Sequence, residues 1–292
     1  MNILTFDTEE WYIEKAFNGG RSERYQTFDR YMKSILDLLD EQKLKATFFC
    51  VGGLAKEFPE VVRSIADKGH EIGCHSNIHN FLYAMDRETL KADTEAAVKS
   101  LEDVTGKKVI SYRAPAFSIG EKNKWAFEVL AECGIERDAS IYPAVRDFGG
   151  FAGFPADKPC IVKVGDATLK EFPVSLTTLA GRQMAYSGGG YFRFFPLGFI
   201  KRTMRKSDYA MTYFHISDLE NHPYKLLERD VYESYYKQSG TLKNRFVKMV
   251  KKSLGSRGAF DKMCDLLRSF DYMNLEEADK KINWEIMRVV EL

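Results

Sequence analysis

No stretch of the 292 residues approaches the roughly 18 to 20 consecutive apolar residues that a membrane span requires. The opening Met-Asn-Ile-Leu-Thr-Phe-Asp runs straight into a strand pattern, with no basic segment, apolar stretch and cleavage site ahead of it, and this reads as a cytoplasmic protein. Cysteine is sparse. Cys50, Cys74, Cys133, Cys160 and Cys264 are odd in number and never spaced Cys-x-x-Cys, which argues for reduced thiols over a disulfide frame or a zinc knuckle. An excess of either charge is missing too: 43 basic against 42 acidic residues leave +1, so no overall pull toward nucleic acid exists. The chain shows no linker and no low-complexity segment.

Histidine is also scarce, and its scarcity gives its placement weight. Of the five histidines, two fall in His75-Ser-Asn-Ile-His79, directly after an apolar strand pattern. Four-residue spacing on one helical turn would put both imidazoles on the same face. Asp7 and Glu9 close the apolar N-terminal strand, and the two-residue strand period sends both to one side. Together these groups offer three ligands for one divalent metal and a carboxylate left over as a base, which points to metal-assisted hydrolysis. His70 and His222 read as structural.

Strand-like runs alternate with helical patterns through the first half. Residues 2–8, 46–51, 71–74 and 109–112 read as strands. Tyr31, Ile35, Leu38 and Leu39 mark one intervening helix, and Asp86 is positioned to cap another that runs to about residue 104. A further helix over 125–133 ends at Gly134. Such repetition predicts an α/β fold of parallel strands joined by helical crossovers, and the length suits a closed barrel. Chemistry then gathers at the C-terminal strand ends, where Asp7, His75, Arg113, Asp138 and His215 lie. Residues 142–196 carry more loop signals, including Gly188-Gly189-Gly190. After His215 the pattern turns helical, which divides a single domain into a barrel over 1–220 and a helical extension over 221–292.

Taken in order, Thr5-Phe6-Asp7, His75-Ser-Asn-Ile-His79, Arg113-Ala-Pro115 and Phe214-His215 resemble the successive signatures of the polysaccharide deacetylases of the NodB-homology type, carbohydrate esterase family 4. Ser187-Gly-Gly-Gly-Tyr-Phe-Arg193 and His215-Ile-Ser-Asp-Leu-Glu220 are similar to a branch found with bacterial exopolysaccharide clusters. The resemblance implies a distorted (β/α) barrel with fewer than eight strands. It also implies a hydrolase that removes N-acetyl groups from an N-acetylated oligo- or polysaccharide, or from a lipid-linked precursor. Position by position, Asp7 matches the general base, Arg113 the arginine that orients it, His215 the general acid, and His75 and His79 the ligands of one divalent ion, with zinc the expected metal. Many members carry an aspartate after the base as third ligand. Here that place is Thr8, and Glu9 fits a variant arrangement with Glu10 as its competitor.

His215 needs an acidic neighbour to stay charged, for which Asp138, Glu171 and Asp218 are candidates. The family's Arg-x-Pro-Tyr reads Arg113-Ala-Pro115-Ala116 here, so Phe117 is the expected replacement for the missing aromatic wall, while the Ala116 backbone N–H remains an oxyanion donor. Trp11 and Tyr191, with Tyr12, Phe192 and Phe194, are candidates for stacking on sugar rings, against a core reading for at least half of them. Lys243, Arg245, Lys248, Lys251 and Lys252 interleave with apolar residues at helical spacing. The plain reading is a helix with a solvated basic face, and the second is peripheral contact with a membrane or an anionic glycan. Two other functions stand beside deacetylation: an amidase on a small non-sugar amide, and a glycan-binding relative without activity.

Overall fold

Alternation of buried strands with amphipathic helices sets the architecture. The computed structural model describes residues 1–18, 23–146, 149–221, 224–236 and 238–292; His222, read above as structural, lies outside them. Eleven strands occur among the described residues: β1 (Asn2–Thr8), β2 (Thr47–Cys50), β3 (Glu71–Cys74), β4 (Ser111–Tyr112), β5 (Arg137–Asp138), β6 (Cys160–Val164), β7 (Ala167–Glu171), β8 (Leu176–Leu179), β9 (Arg182–Ala185), β10 (Ala210–His215) and β11 (Val289–Glu291). Nine form one sheet in the order β10-β1-β2-β3-β4-β5-β7-β6-β11, parallel from β10 through β7, while β8 and β9 make a separate hairpin.

The sheet rolls up. Ile3 of β1, Phe49 of β2, Phe172 beyond β7 and Met211 of β10 share one buried cluster although β10 and β7 stand far apart in the strand order. Among the described residues no backbone pairing joins β10 to β7. Side chains close the seam instead: Tyr209 Oη donates to the Pro173 carbonyl at 2.7 Å, and Ser175 Oγ accepts the Met211 N–H at 2.6 Å. On β1 the outward residues Leu4 and Phe6 join the large core under the helices, while Ile3, Thr5 and Asp7 face the lumen. Strand β1 is therefore apolar on one face and increasingly polar toward the mouth on the other.

Local signals place the helices. Asp86 Oδ1 accepts the Thr89 N–H at 2.8 Å to cap the helix Arg87–Thr105, whose end turns through Gly106 at φ 65°. The segment expected as a purely helical extension contains the helices Arg229–Tyr236, Leu242–Ser253, Ala259–Leu267 and Leu275–Lys281, but it ends in a strand. The Val289-Val290 run suits a strand, and β11 adds parallel to β6 with Val290 buried.

Polar residues open four neighbouring strands at the opposite end of the barrel. Glu71 Oε1 accepts Ser111 Oγ at 2.6 Å and Arg137 Nη2 at 3.0 Å, and Glu71 Oε2 accepts Thr47 Oγ1 at 2.6 Å. Arg137 Nη1 and Lys170 Nζ reach Asp279 of the helix Leu275–Lys281 at 3.1 and 2.6 Å, so that helix plugs the barrel from below. Removing one partner of such a network strands the rest. Arg137→Ala is expected to lower stability by about 3–5 kcal/mol in urea unfolding, and a loss too small to measure would show that the plug holds without it.

Candidate active site and metal centre

Register brings the candidate side chains together at the mouth. Asp7 lies directly beside His215 on the paired strands β1 and β10, and Cys50, Cys74 and Tyr112 align along the next strand ends. His75 and Arg113 follow the last two of these. Arg113 is fully buried. Its Nη1 donates to Asp7 Oδ1 and Thr5 Oγ1, each at 2.8 Å, its Nε donates to the Ala139 carbonyl at 3.1 Å, and its guanidinium lies 4.3 Å from the Phe49 ring centroid. Burial works to raise the Asp7 pKa, but the charges of Arg113, His75 and His215 together outweigh it and hold the carboxyl below its ordinary range.

Glu9, His75 and His79 form a cluster that could hold a metal ion, with their donor atoms all within 4.8 Å of one another. His79 Nε2 stands 2.6 Å and His75 Nε2 3.3 Å from Glu9 Oε2, yet Glu9 Oε2 and His75 Nε2 are buried atoms without a well-aligned hydrogen bond. Converging donor atoms of this kind fit a divalent cation. His75 Nδ1 meets the Arg113 carbonyl at 2.7 Å, which fixes the ring with Nε2 turned to the cluster. Glu10 is engaged elsewhere: its Oε1 accepts the Ser217 N–H at 2.8 Å and its Oε2 accepts the Glu9 N–H at 3.3 Å. Burial and the Glu9 charge push its carboxyl up to about 7.

The two histidines do not share a helical turn, as their spacing suggested. Residues 75–79 form an irregular loop with Ser76 at φ 65° and His79 at φ 60°. The Ser76 and Asn77 carbonyls accept the Gly52 and Gly53 N–H groups at 2.9 and 2.8 Å, and Asp93 Oδ2 accepts the Asn77 N–H at 2.8 Å. Gly52 is required by this packing, since a Cβ there would come within 2.6 Å of Ala97 Cα.

His215 Nδ1 lies 2.9 Å from Asp218 Oδ2, so of the three candidate neighbours it is Asp218 that touches the ring. His215 Nε2 is left facing Asp7 Oδ2 at 3.7 Å and Glu9 Oε1 at 3.9 Å. Burial alone would lower the His215 pKa, but the Glu9, Asp218 and Asp7 carboxylates raise it to about 10. Arg193 Nη1 sits 3.0 Å from Asp218 Oδ1 and, with His215, offsets burial to hold that carboxyl at about 2. Asp138 and Glu171 pair with each other instead. Asp138 accepts Ser140 Oγ at 2.6 Å, and that hydroxyl in turn accepts the Ala114 N–H at 2.8 Å, so Asp138 steadies the loop that carries Arg113. Burial drives the Glu171 carboxyl far upward, consistent with a proton shared by the pair.

The expected sugar-facing aromatics fare differently. Trp11 is 1% exposed with Nε1 donating to Asp29 Oδ1 at 2.9 Å, so it is a core residue and presents no face to a substrate. Phe117, 3% exposed, packs on Tyr142 and Tyr213 with the Arg113 and Arg146 guanidiniums over its ring, and it supports Arg113 more than it walls a pocket. Phe192 is fully buried, and Tyr191 is half-buried between two clusters. Ala116 and Phe117 both adopt left-handed backbone, at φ 54° and 55°, a strain of order 1–3 kcal/mol per residue. Two neighbours were not foreseen. Arg193 closes the Gly188-Gly189-Gly190 segment, a visible signal, whereas Tyr235, stacked 6.2 Å from His79 at 9°, comes from a helix with no motif.

Residues 3–137 match the polysaccharide deacetylase family model and residues 139–280 match a domain of unknown function, DUF3473. A peptidoglycan-N-acetylglucosamine deacetylase of Bacillus cereus is 43% identical over 91 residues, 27% of this chain and 33% of that protein. A chitooligosaccharide deacetylase of Sinorhizobium fredii is 31% identical over 157 residues, 51% of this chain and 67% of that protein. The chain spans between a third and about half the length of several other curated relatives. Among solved structures, a polysaccharide deacetylase candidate from Mycobacterium smegmatis superposes with a TM-score of 0.63 at 20% identity, covering 100% of this chain and 92% of that one, and it shares the fold. The chain belongs to the polysaccharide deacetylase family.

Proposed function

We propose that the protein is a metal-dependent hydrolase that removes N-acetyl groups from an N-acetylated glycan or its lipid-linked precursor. The observation that carries this reading is the juxtaposition of an ion-ligand set, Glu9, His75 and His79, with an arginine-held carboxylate and a doubly supported histidine at one barrel mouth. The deacetylase names of the relatives supply the substrate class. A divalent ion, zinc foremost, would be held by Glu9, His75 and His79 and would supply Lewis acidity toward water and an acetyl carbonyl. Asp7, oriented by Arg113, takes the proton of the attacking water. The Ala116 N–H supports the developing oxyanion. His215, protonated and tied through Nδ1 to Asp218, donates from Nε2 to the departing amine.

Metal binding separates the carboxylates. His75→Ala is expected to abolish tight binding of a divalent ion, and Glu9→Gln to weaken it strongly while Glu10→Gln leaves it near wild type, by metal analysis of the purified variants. Equal loss for both glutamates would remove Glu9 from the ligand set.

Proton transfer separates catalysis from binding. Asp7→Asn and His215→Ala should hold metal and fold yet lose roughly 10²-fold or more in turnover of acetyl-hexosamine oligomers. Because the acid works protonated and its pKa is raised, activity persists above the ordinary histidine range and falls as pH climbs through the His215 value. A cation on Glu9 offsets one of the charges behind the value of about 10, so the limb in loaded enzyme lies below it. Asp218→Asn should move this limb further down. A pH–rate profile unchanged in Asp218→Asn would refute the assignment, and a metal-loaded wild type inert on every acetylated sugar would favour glycan binding without turnover.

A further inference from the structure

The helix Leu242–Ser253 is built inside out for a helix on a water-facing surface. Leu242, Phe246, Val250 and Leu254 recur every four residues, a single stripe along one face, and they are 64%, 54%, 43% and 51% exposed. The opposite side holds cations turned toward the protein. Lys248 Nζ lies 4.4 Å from the Tyr236 ring centroid, Lys252 Nζ lies 5.1 Å from that of Tyr224, and Arg245 Nη1 donates to the Leu227 carbonyl at 2.8 Å. No residue of this helix is buried. A surface helix ordinarily turns its apolar face to the core and its charges to water, and this one reverses both.

We infer that this face is a docking surface for an anionic lipid bilayer. The stripe supplies the apolar side of an interfacial helix, whose residues enter the boundary between headgroups and acyl chains. Lys243 and Lys251 are exposed beside it, and no acidic residue occurs anywhere from 234 to 260, so the whole segment complements a negative surface. A second copy of the chain fits less well, because a two-fold contact would bring the same lysines against each other. The helix also adjoins the site: the preceding helix, Arg229–Tyr236, packs on it and places Tyr235 against His79. Docking there brings the barrel mouth to the headgroup layer. The inference concerns binding alone and stands or falls apart from the deacetylase reading.

Co-sedimentation of the full chain with vesicles tests it. Wild type should bind vesicles of equal parts phosphatidylcholine and phosphatidylglycerol, and should bind pure phosphatidylcholine at least tenfold more weakly. The Phe246→Glu, Val250→Glu double variant should lose about tenfold or more in affinity for the anionic vesicles. Both residues are exposed, so its thermal melt should match wild type, and Ile286→Glu, at a 74% exposed site on another element, should bind unchanged. Lys243→Glu should weaken binding and flatten its salt dependence. Absence of binding, equal binding by the double variant, or a concentration-dependent dimer abolished by Phe246→Glu would overturn the proposal.

Discussion

The contact on which the site depends is the ion pair between Arg113 and Asp7. Both groups lie inside the barrel lumen, and an isolated charge there costs several kcal/mol in lost hydration. The pair is tolerable because every part of it is engaged: Thr5 and Asp7 from β1, the Ala139 carbonyl beyond β5, and the Phe49 face from β2. Arg113 acts through its backbone as well, since its carbonyl receives His75 Nδ1. One residue thus fixes Asp7, the proposed base, and His75, a proposed metal ligand. Replacing it would disturb both at once, which is why Asp7 and His75 cannot be treated as independent positions.

The two ends of the barrel contrast in how fully their polar groups are satisfied. At the bottom, Glu71, Arg137, Lys170 and Asp279 answer one another, and the outcome is a rigid plug. At the mouth, Glu9 Oε2 and His75 Nε2 remain buried without aligned partners, and Ala116, Phe117, Ser76 and His79 hold left-handed backbone. Unspent bonding capacity and left-handed backbone lie together where the chemistry is proposed, and the network at the other end supplies stability that tolerates them.

Much of this was legible in the sequence because parallel strands announce themselves as apolar runs with polar residues at their ends. The strands that carry Asp7 and His215 or lead into His75 and Arg113 are of that kind, and Asp86 and Gly106 bound their helix by ordinary capping chemistry. The spacing of His75 and His79 was readable, but their conformation was not: a four-residue interval serves a helical turn and a left-handed loop alike, and contacts with distant Gly52, Gly53 and Asp93 decide between them. Asp138, Glu171 and Asp218 all lie near strand ends, and only the tight turn after β10, which returns Asp218 to His215, selects among them. Trp11 misled because an aromatic residue near a site looks the same whether it faces the mouth or the core. The place of the final strand beside β6 and of Tyr235 over His79 depends on long-range packing that no local pattern encodes.

Topology also bears on how the two matched segments relate. They meet inside β5, and the first alone holds Asp7, Glu9, His75, His79 and Arg113. It lacks His215, the proposed proton donor. The second segment supplies β10, whose parallel pairing with β1 sets His215 beside Asp7, together with Asp218 and Arg193 behind the histidine and Tyr235 over His79. It also closes the barrel at both seam and base, through Ser175 on Met211 and Asp279 on Arg137. The segment of unassigned function therefore completes the barrel that the first segment begins: without it Glu9, His75 and His79 would lose their facing strand, and the buried Arg113–Asp7 pair would lose the Met211 and Tyr213 side chains that line its cavity.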